Sequence, residues 1–294
     1  MASVFAFGVA VVDFVFLVDD LPDQGVKYRA NGAQIDGGGM AASAAVAVSR
    51  LGGEAHLGAR VGTDFIGEVI RSELEGYNVS LEFVDSADGG RSSYSAVMVD
   101  DCGERQIVGF SGAGLAGEPG WLDAVPSHDA FLADTSWTPG LRKTLELARR
   151  HDVPGIVDGE RSADFETLNL ATHLAFSSQG VLAITGEETV LAGLKAMAEV
   201  HTNWLCATDG ANGTYVVRNR KIDHIPAFEV DAENTLGAGD VWHGAFALML
   251  AEGKGEEEAV QFANATATLR CTRGGGRECY PTRDEVHSFI NSNS

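Results

Sequence analysis

The sequence is poor in positive charge. Its 294 residues carry 21 Lys and Arg against 42 Asp and Glu, a net charge of −21. A surface that acidic repels phosphate backbones and anionic lipid, so nucleic-acid and membrane-surface partners are not expected. Any anionic substrate must be met by local cations, backbone N–H groups or a metal ion. Cysteine is scarce as well: Cys102, Cys206, Cys271 and Cys279 form no C-x-x-C and none has a His at metal-ligand spacing. Neither a zinc site nor a disulfide framework is indicated, and reduced thiols in a cytoplasm are the plain reading. Uncharged apolar runs of 18 residues are missing, which excludes a membrane-spanning helix. Val4 to Val18 is apolar but carries Asp13 and has no cation before Lys27, so it is not read as a signal peptide. Repeats and low-complexity tracts are also lacking. No G-x-x-x-x-G-K-[ST] and no H-E-x-x-H occur, which excludes a P-loop and a zincin site. A soluble cytoplasmic protein is expected.

What is present is 45% apolar residues, enough for a large core, and alternation. Ser3 to Val12, Ala55 to Val61, Ala130 to Ala133, Gly155 to Asp158, His173 to Phe176 and Trp204 to Thr208 are apolar strand-like runs. Between them lie helical patterns at Gly38 to Leu51, Asp64 or Phe65 to Glu75 (Asp64 as cap), Leu141 to His151 and Glu187 to Val200. Strands separated by helices of this length predict parallel βαβ units in a doubly wound α/β sheet. Two segments break the rhythm. Asp13 to Gln34 is extended, and Arg91 to Phe110 reads as strands Ser93 to Val99 and Arg105 to Phe110 around a turn. Together they make either a small β lid over an active-site mouth or a pair of surface excursions. The lid reading assigns 13–34 and 91–110 to the lid and 1–12, 35–90 and 111–294 to the core.

The stretch Gly237-Ala238-Gly239-Asp240 opens a helix running to about Leu250. Successive N–H groups at a helix N-terminus, with no bulky side chain in the way, form an anion hole backed by the helix dipole. Asp240 in the first turn is either a dipole partner or a general base beside that hole. A phosphoryl group over 237–239 would bring an incoming hydroxyl within its reach, as in-line transfer requires.

Gly237-Ala238-Gly239-Asp240, with Gly244 and Phe246 following, resembles the C-terminal signature of the ribokinase or pfkB family of carbohydrate kinases. Gly38-Gly39-x-x-Ala42-Ser43-x-Ala45 with Arg50-Leu51-Gly52-Gly53 resembles its N-terminal signature. Further matches are Arg60-Val61-Gly62-x-Asp64-x-x-Gly67, Thr208-Asp209-Gly210-x-x-Gly213 and Cys271-Thr272-Arg273-Gly274-Gly275. Within the family, Gly37, Lys27-Tyr28, Ser95 to Asp100 and Gly103-Glu104-Arg105 resemble the sulfofructose kinase branch most. The resemblance implies a ribokinase-like fold with a β lid, and transfer of the γ-phosphoryl group of ATP, with Mg²⁺, to a hydroxyl of a small ketohexose- or furanose-type sugar. It assigns proton removal to Asp240 and phosphoryl binding to Gly237, Ala238 and Gly239. Asp13, Lys27, Gly38, Gly39 and Ser43 would bind the sugar. Thr208, Gly210 and Gly213 would flank the nucleotide, with Asn264 and Thr268 near its base.

The sequence departs from that family in places. Asn234 stands where Asp is usual, beside a monovalent-cation site in some members, which puts potassium dependence in doubt. The family's Asn-x-x-Glu falls on Ser177 and Gly180, leaving Asp158 and Glu160 as the nearest metal-supporting candidates, or as a solvated strand end. Ser43 replaces a usual Asn. Gly109 and Ser136 stand where the sulfosugar branch is expected to have Asn and Arg, which weakens the sulfonated substrate. Arg29, Arg91 and Arg105 lie on or near the lid, as substrate-facing cations or surface charges. A nucleoside kinase, with Phe14, Phe16, Tyr28 and Phe110 lining a larger acceptor pocket, and an inert sugar or nucleotide sensor are the alternatives. Gly112 to Gly117 matches G-x-G-x-x-G with Asp134 seventeen residues on, but Pro119-Gly120 cannot open the helix a dinucleotide site needs. Free edges on an exposed lid tend to pair, so a homodimer through the lids is expected.

Overall fold

The structure, a computed structural model, describes residues 1–160 and 163–293. The first half of the chain contains β1 (Ser3–Gly8), β2 (Val11–Leu17), β3 (Gly32–Gly38), α1 (Met40–Arg50), β4 (Glu54–Gly62), α2 (Phe65–Gly76), β5 (Ser80–Ala87), β6 (Ser93–Val99) and β7 (Arg105–Phe110). The second half contains β8 (Ala130–Asp134), α3 (Thr138–His151), β9 (Gly155–Gly159), α4 (Phe165–Leu168), β10 (His173–Ser177), α5 (Ser178–Thr185), α6 (Val190–Val200) and β11 (Trp204–Thr208). It continues with β12 (Thr214–Arg218), β13 (Lys221–Ile225), α7 (Ala238–Ala251), α8 (Glu256–Cys271) and α9 (Arg283–Ser292).

Among the described residues the main sheet has nine strands in the order β13-β12-β11-β10-β9-β8-β1-β4-β5. The run from β5 to β11 is parallel, and β12 and β13 add an antiparallel edge. Alternation along β1 explains the layering: Val4 and Ala6 pack among the alanines of α1 and the apolar face of α7, while Phe5 and Phe7 pack with Leu141 and Leu145 of α3 on the other side. Strand order reverses at β1, which lies between β4 and β8. In open α/β sheets the crevice beyond the carboxyl ends at such a switch point is where ligands bind.

The apolar run from Ser3 to Val12 is not one strand. Val9 N–H donates to Asp134 Oδ2 at 2.7 Å, which turns the chain out of the main sheet, and β2 starts at Val11 in a second sheet. That four-stranded sheet runs β3-β2-β6-β7, so it takes in residues 11–12 and 35–38 as well as the extended stretch and hairpin identified in the sequence. Its two central strands pair parallel, Asp13 opposite Ser95. The helical pattern at Glu187 to Val200 shortens to α6, capped by the Thr189 hydroxyl, because Gly186 (φ 71°) ends the unforeseen α5. The hairpin β12–β13, turning through Asn219 and Arg220 at positive φ, was likewise not legible in the sequence. Asp64 caps α2 as expected, accepting from Gly67 N–H at 3.0 Å. No helix of the described residues is long and apolar enough to cross a membrane, and no helix follows 112–117 directly.

Candidate active site

Gly237 precedes α7 with φ 73°, a left-handed turn that glycine adopts without strain; a Cβ there would lie 2.8 Å from the Tyr280 hydroxyl. The turn it begins is a partition. On one side lies a cavity of about 670 Å³ whose wall includes Asp13, Gly39, Ser95, Gly237, Gly239 and Asp240. On the other lies a more apolar cavity of about 460 Å³, walled by Thr208, Gly210, Gly213, Ala238, Gly239 and Thr268 among others. Gly239 belongs to both walls. A group bound in either cavity therefore reaches the same helix N-terminus.

Asp240 faces the larger cavity, and its carboxyl is drawn into contact with Ser43. Burial, and then the nearby Asp158 carboxyl, push its pKa up to about 8, against the opposing pull of His243, Arg277 and Ser43. Asp13 enters from β2. Gly38 has no Cβ to collide with it; one would lie 2.1 Å from Asp13 Oδ2. Burial raises the Asp13 pKa too, while a hydrogen bond with Ser95 and the charge of Arg277 lower it. Ser43 is buried on α1 and accepts from Arg277 Nη2 at 3.2 Å. Gly38, Ser43, Asp13 and Asp240 meet around a smaller recess of about 60 Å³ behind the turn.

In the second cavity, Thr208 ends β11 and Gly210 and Gly213 form the tight loop before β12. Asn264 reaches the wall, but its amide is fully engaged. Its Oδ1 accepts from Thr214 Oγ1 (2.7 Å) and Trp242 Nε1 (2.8 Å), and its Nδ2 donates to the carbonyls of Ile225 and Pro226. Its contribution is to hold the walls together, not to offer a free donor. Thr268 lies on the same helix face.

Lys27 is not brought to either cavity. It lies exposed in the loop between β2 and β3, with Arg29. Arg91 packs over Phe110, whereas Arg105 Nη2 donates to Thr235 Oγ1 at 2.9 Å and ties the second sheet to the glycine turn. Of Phe14, Phe16, Tyr28 and Phe110, Phe110 alone lines the large cavity. Phe14 packs edge-on against Tyr94, Phe16 is exposed, and the Tyr28 hydroxyl binds within its own loop. The aromatic acceptor pocket those four would make is not assembled.

Asp158 is buried beneath the turn with Oδ2 3.4 Å from His243 Nδ1. Burial pushes the acid up and the imidazole down, while the Asp240 carboxyl and the carbonyls of Gly239 and Ala175 draw the imidazole back up. His243 Nδ1–H donates to Gly239 O at 2.8 Å, bracing the turn from below. Among the described residues, no group of three or more His, Cys, Asp and Glu side chains could hold a metal ion by itself.

Sequence reasoning missed Arg277, Glu73 and Tyr280. The buried Arg277 pairs with Glu73 at 2.7 Å and donates to Gly38 O, fixing the glycine segment next to Ser43. It follows the recognised Cys271-to-Gly275 match by two residues, where a lone arginine in a glycine-rich loop gives no periodic signal.

The sequence model of the pfkB family carbohydrate kinases matches residues 1–283. A ribokinase of Bacillus subtilis is 28% identical over 297 residues, covering 99% of this chain and 100% of that protein. An ATP-dependent ribose-1-phosphate kinase of Halopiger xanaduensis is 29% identical over 299 residues, covering 99% of this chain and 98% of that one. A crystal structure from Agrobacterium tumefaciens, provisionally named a ribokinase, superposes with a TM-score of 0.89 at 34% identity, covering 99% and 98% of the two chains. With its ribokinase-like sheet, its second sheet and a glycine turn between two cavities, the chain belongs to the pfkB family of carbohydrate kinases, enzymes that transfer a phosphoryl group to a sugar.

Proposed function

We propose that this kinase transfers the γ-phosphoryl group of MgATP to a hydroxyl of a small neutral sugar of pentose or ketohexose size. One observation carries the reading: the Gly237–Gly239 turn stands between the two cavities, so donor and acceptor meet over one helix N-terminus. The nucleotide occupies the apolar cavity beside Thr208, Gly210, Gly213 and Thr268. The sugar occupies the other, held by Asp13 and the backbone at Gly38 and Gly39. Asp240 removes the proton of the attacking hydroxyl, and the N–H groups of 237–239 receive the charge on the transferring phosphoryl group.

The metal arrives on the nucleotide phosphates as part of the substrate. Asp158 is turned toward His243, which leaves the Glu160 carboxyl on the cavity wall to accept from water on that ion. Among the described residues, the cation lining the acceptor cavity is Arg60, whose guanidinium stacks 4.0 Å over Trp137 and donates to Ala116 O. Gly109 and Ser136 also line it. That wall favours hydroxyls over a sulfonate, and so a neutral sugar over sulfofructose.

The second sheet acts as a lid, and the Arg105–Thr235 contact supports closure over the turn. Ile35 and Val108, on the face of that sheet opposite Ile107, are 63% and 65% exposed, which supports a homodimer formed through the lids. Free thiols at all four cysteines and the use of ATP suit a cytoplasmic setting. The test is ADP release from MgATP across ribose, fructose, fructose 6-phosphate, sulfofructose and adenosine. Turnover with ribose or fructose is expected. Turnover on sulfofructose or adenosine alone would overturn the neutral-sugar assignment.

A further inference from the structure

Arg270, in the last turn of α8, is 1% exposed, and no carboxylate of the described residues pairs with it. Its Nη1 donates to Arg273 O at 2.6 Å and its Nη2 to Gly275 O at 2.7 Å, while its Nε has no hydrogen-bond partner. The side chain lines the small recess behind the glycine turn together with Gly237, Asp240 and Tyr280. Asp36 lines the same recess and feels the Arg270 charge, but no carboxylate is in direct contact with the guanidinium; a buried guanidinium without a contacting anion is costly, and carbonyl dipoles offset that cost only in part. A fixed positive charge at this place is complementary to negative charge arriving over 237–239.

The same carbonyls decide a second point. Gly275 O accepts from Arg270 Nη2 and also from Asn234 Nδ2 at 3.2 Å; Cys271 O accepts from the N–H groups of Glu233 and Asn234. The oxygens around the base of the turn are thus occupied by donors, and one of those donors is itself a cation. A bound monovalent metal ion does not fit here: it would compete with those donors for the carbonyl lone pairs and be repelled by the guanidinium. Asn234 adds no charge to attract one.

We infer that Arg270 is the built-in cation of the phosphoryl-transfer site, a positioning residue whose charge stabilises the transferring group through the glycine turn and makes turnover independent of any monovalent metal ion. The inference rests on the kinase reading above.

The experiment compares initial rates with MgATP and the best sugar in tetramethylammonium, sodium, potassium and ammonium chlorides at equal ionic strength of about 0.1 M. The wild-type rate is expected to change by less than about twofold among them, the range left to ionic strength alone. Arg270→Gln is expected to lose on the order of 100-fold in kcat, as for loss of one preorganised donor. Guanidinium or potassium chloride should restore part of that loss, and Arg270→Lys should keep more activity than Arg270→Gln. Potassium raising the wild-type rate by about tenfold or more, the equivalent of about 1.4 kcal/mol, would overturn the inference, as would an Arg270→Gln enzyme as active as wild type. Thermal denaturation of the wild type in the same four salts needs neither a folded variant nor an accepted sugar. Coincident melting curves are expected, whereas a potassium-specific rise in Tm would report a bound ion and contradict the inference. If no sugar in the panel is turned over, the kinase reading fails while the melting curves still decide the cation question.

Discussion

The Arg105 guanidinium on the second sheet lies 2.9 Å from the Thr235 hydroxyl, two residues before the glycine turn of the main domain. The contact lies beside the cavity proposed for the acceptor, whose wall includes Ile107 from the second sheet and Leu236 from the segment before the turn. Closure of this kind keeps water from the phosphoryl group. Arg105→Leu is expected to raise the sugar KM by about fivefold, the equivalent of one hydrogen bond of about 1 kcal/mol, and to raise ADP release without sugar. Unchanged coupling of ADP release to sugar phosphate would count against a lid.

Asp240 carries the proton-transfer prediction. With a pKa of about 8 in the free enzyme, most of the carboxyl is protonated at neutral pH. The kcat/KM for the sugar is expected to rise about tenfold per pH unit below about 8 and level off above it. A profile flat from pH 6 to pH 9, on the order of the range that brackets this group, would remove Asp240 as the base.

The same burial has a consequence for stability. The native state holds the Asp240 proton up to about pH 8, whereas the unfolded chain releases it near 3.8. Between those values the folded protein binds more protons, so this carboxyl's contribution to stability is full at low pH and falls as pH rises. Asp240→Asn, which has no proton to lose, is expected to melt higher than wild type, with the gap widening from about pH 5 to about pH 8 by several degrees. Differential scanning calorimetry at several pH values measures it; a constant gap would contradict the assigned shift.

Asn264 should behave as a structural post of the nucleotide cavity. Its amide joins β12, the end of β13 with the following Pro226, and α7 through four hydrogen bonds. Asn264→Ala leaves buried partners unpaired and is expected to destabilise the fold by about 2–4 kcal/mol and to raise the ATP KM more than the sugar KM. Denaturant unfolding and KM values for both substrates separate the effects; equal rises in the two KM values would place Asn264 differently.

Much of this site was legible in the sequence because its signals are local. The glycine turn, the Asp64 cap and the β6–β7 hairpin each state their geometry within a few residues. The main parallel strands were equally plain, since burial on both faces makes short apolar runs. The break at Val9 was not, because it depends on Asp134, distant in sequence and buried on β8. Lys27 was placed with the sugar by resemblance, but the loop that carries it lies away from both cavities. Arg270 had a usable signal: Ala259, Ala263, Thr266 and Arg270 fall on one buried helical stripe, where a cation is out of place. Arg277 had none, since its partner Glu73 lies on α2.

One glycine turn is proposed to hand a phosphoryl group from the apolar cavity to a hydroxyl beside Asp240. Transfer of label from γ-³²P ATP to ribose or fructose, measured for wild type and Asp240→Asn with nucleotide binding checked in parallel, tests it most directly. Labelled sugar phosphate is expected with the wild type, and a variant that binds ATP as tightly but transfers on the order of 10²–10⁴-fold more slowly. Transfer by Asp240→Asn at the wild-type rate, or label released only as phosphate, would contradict it.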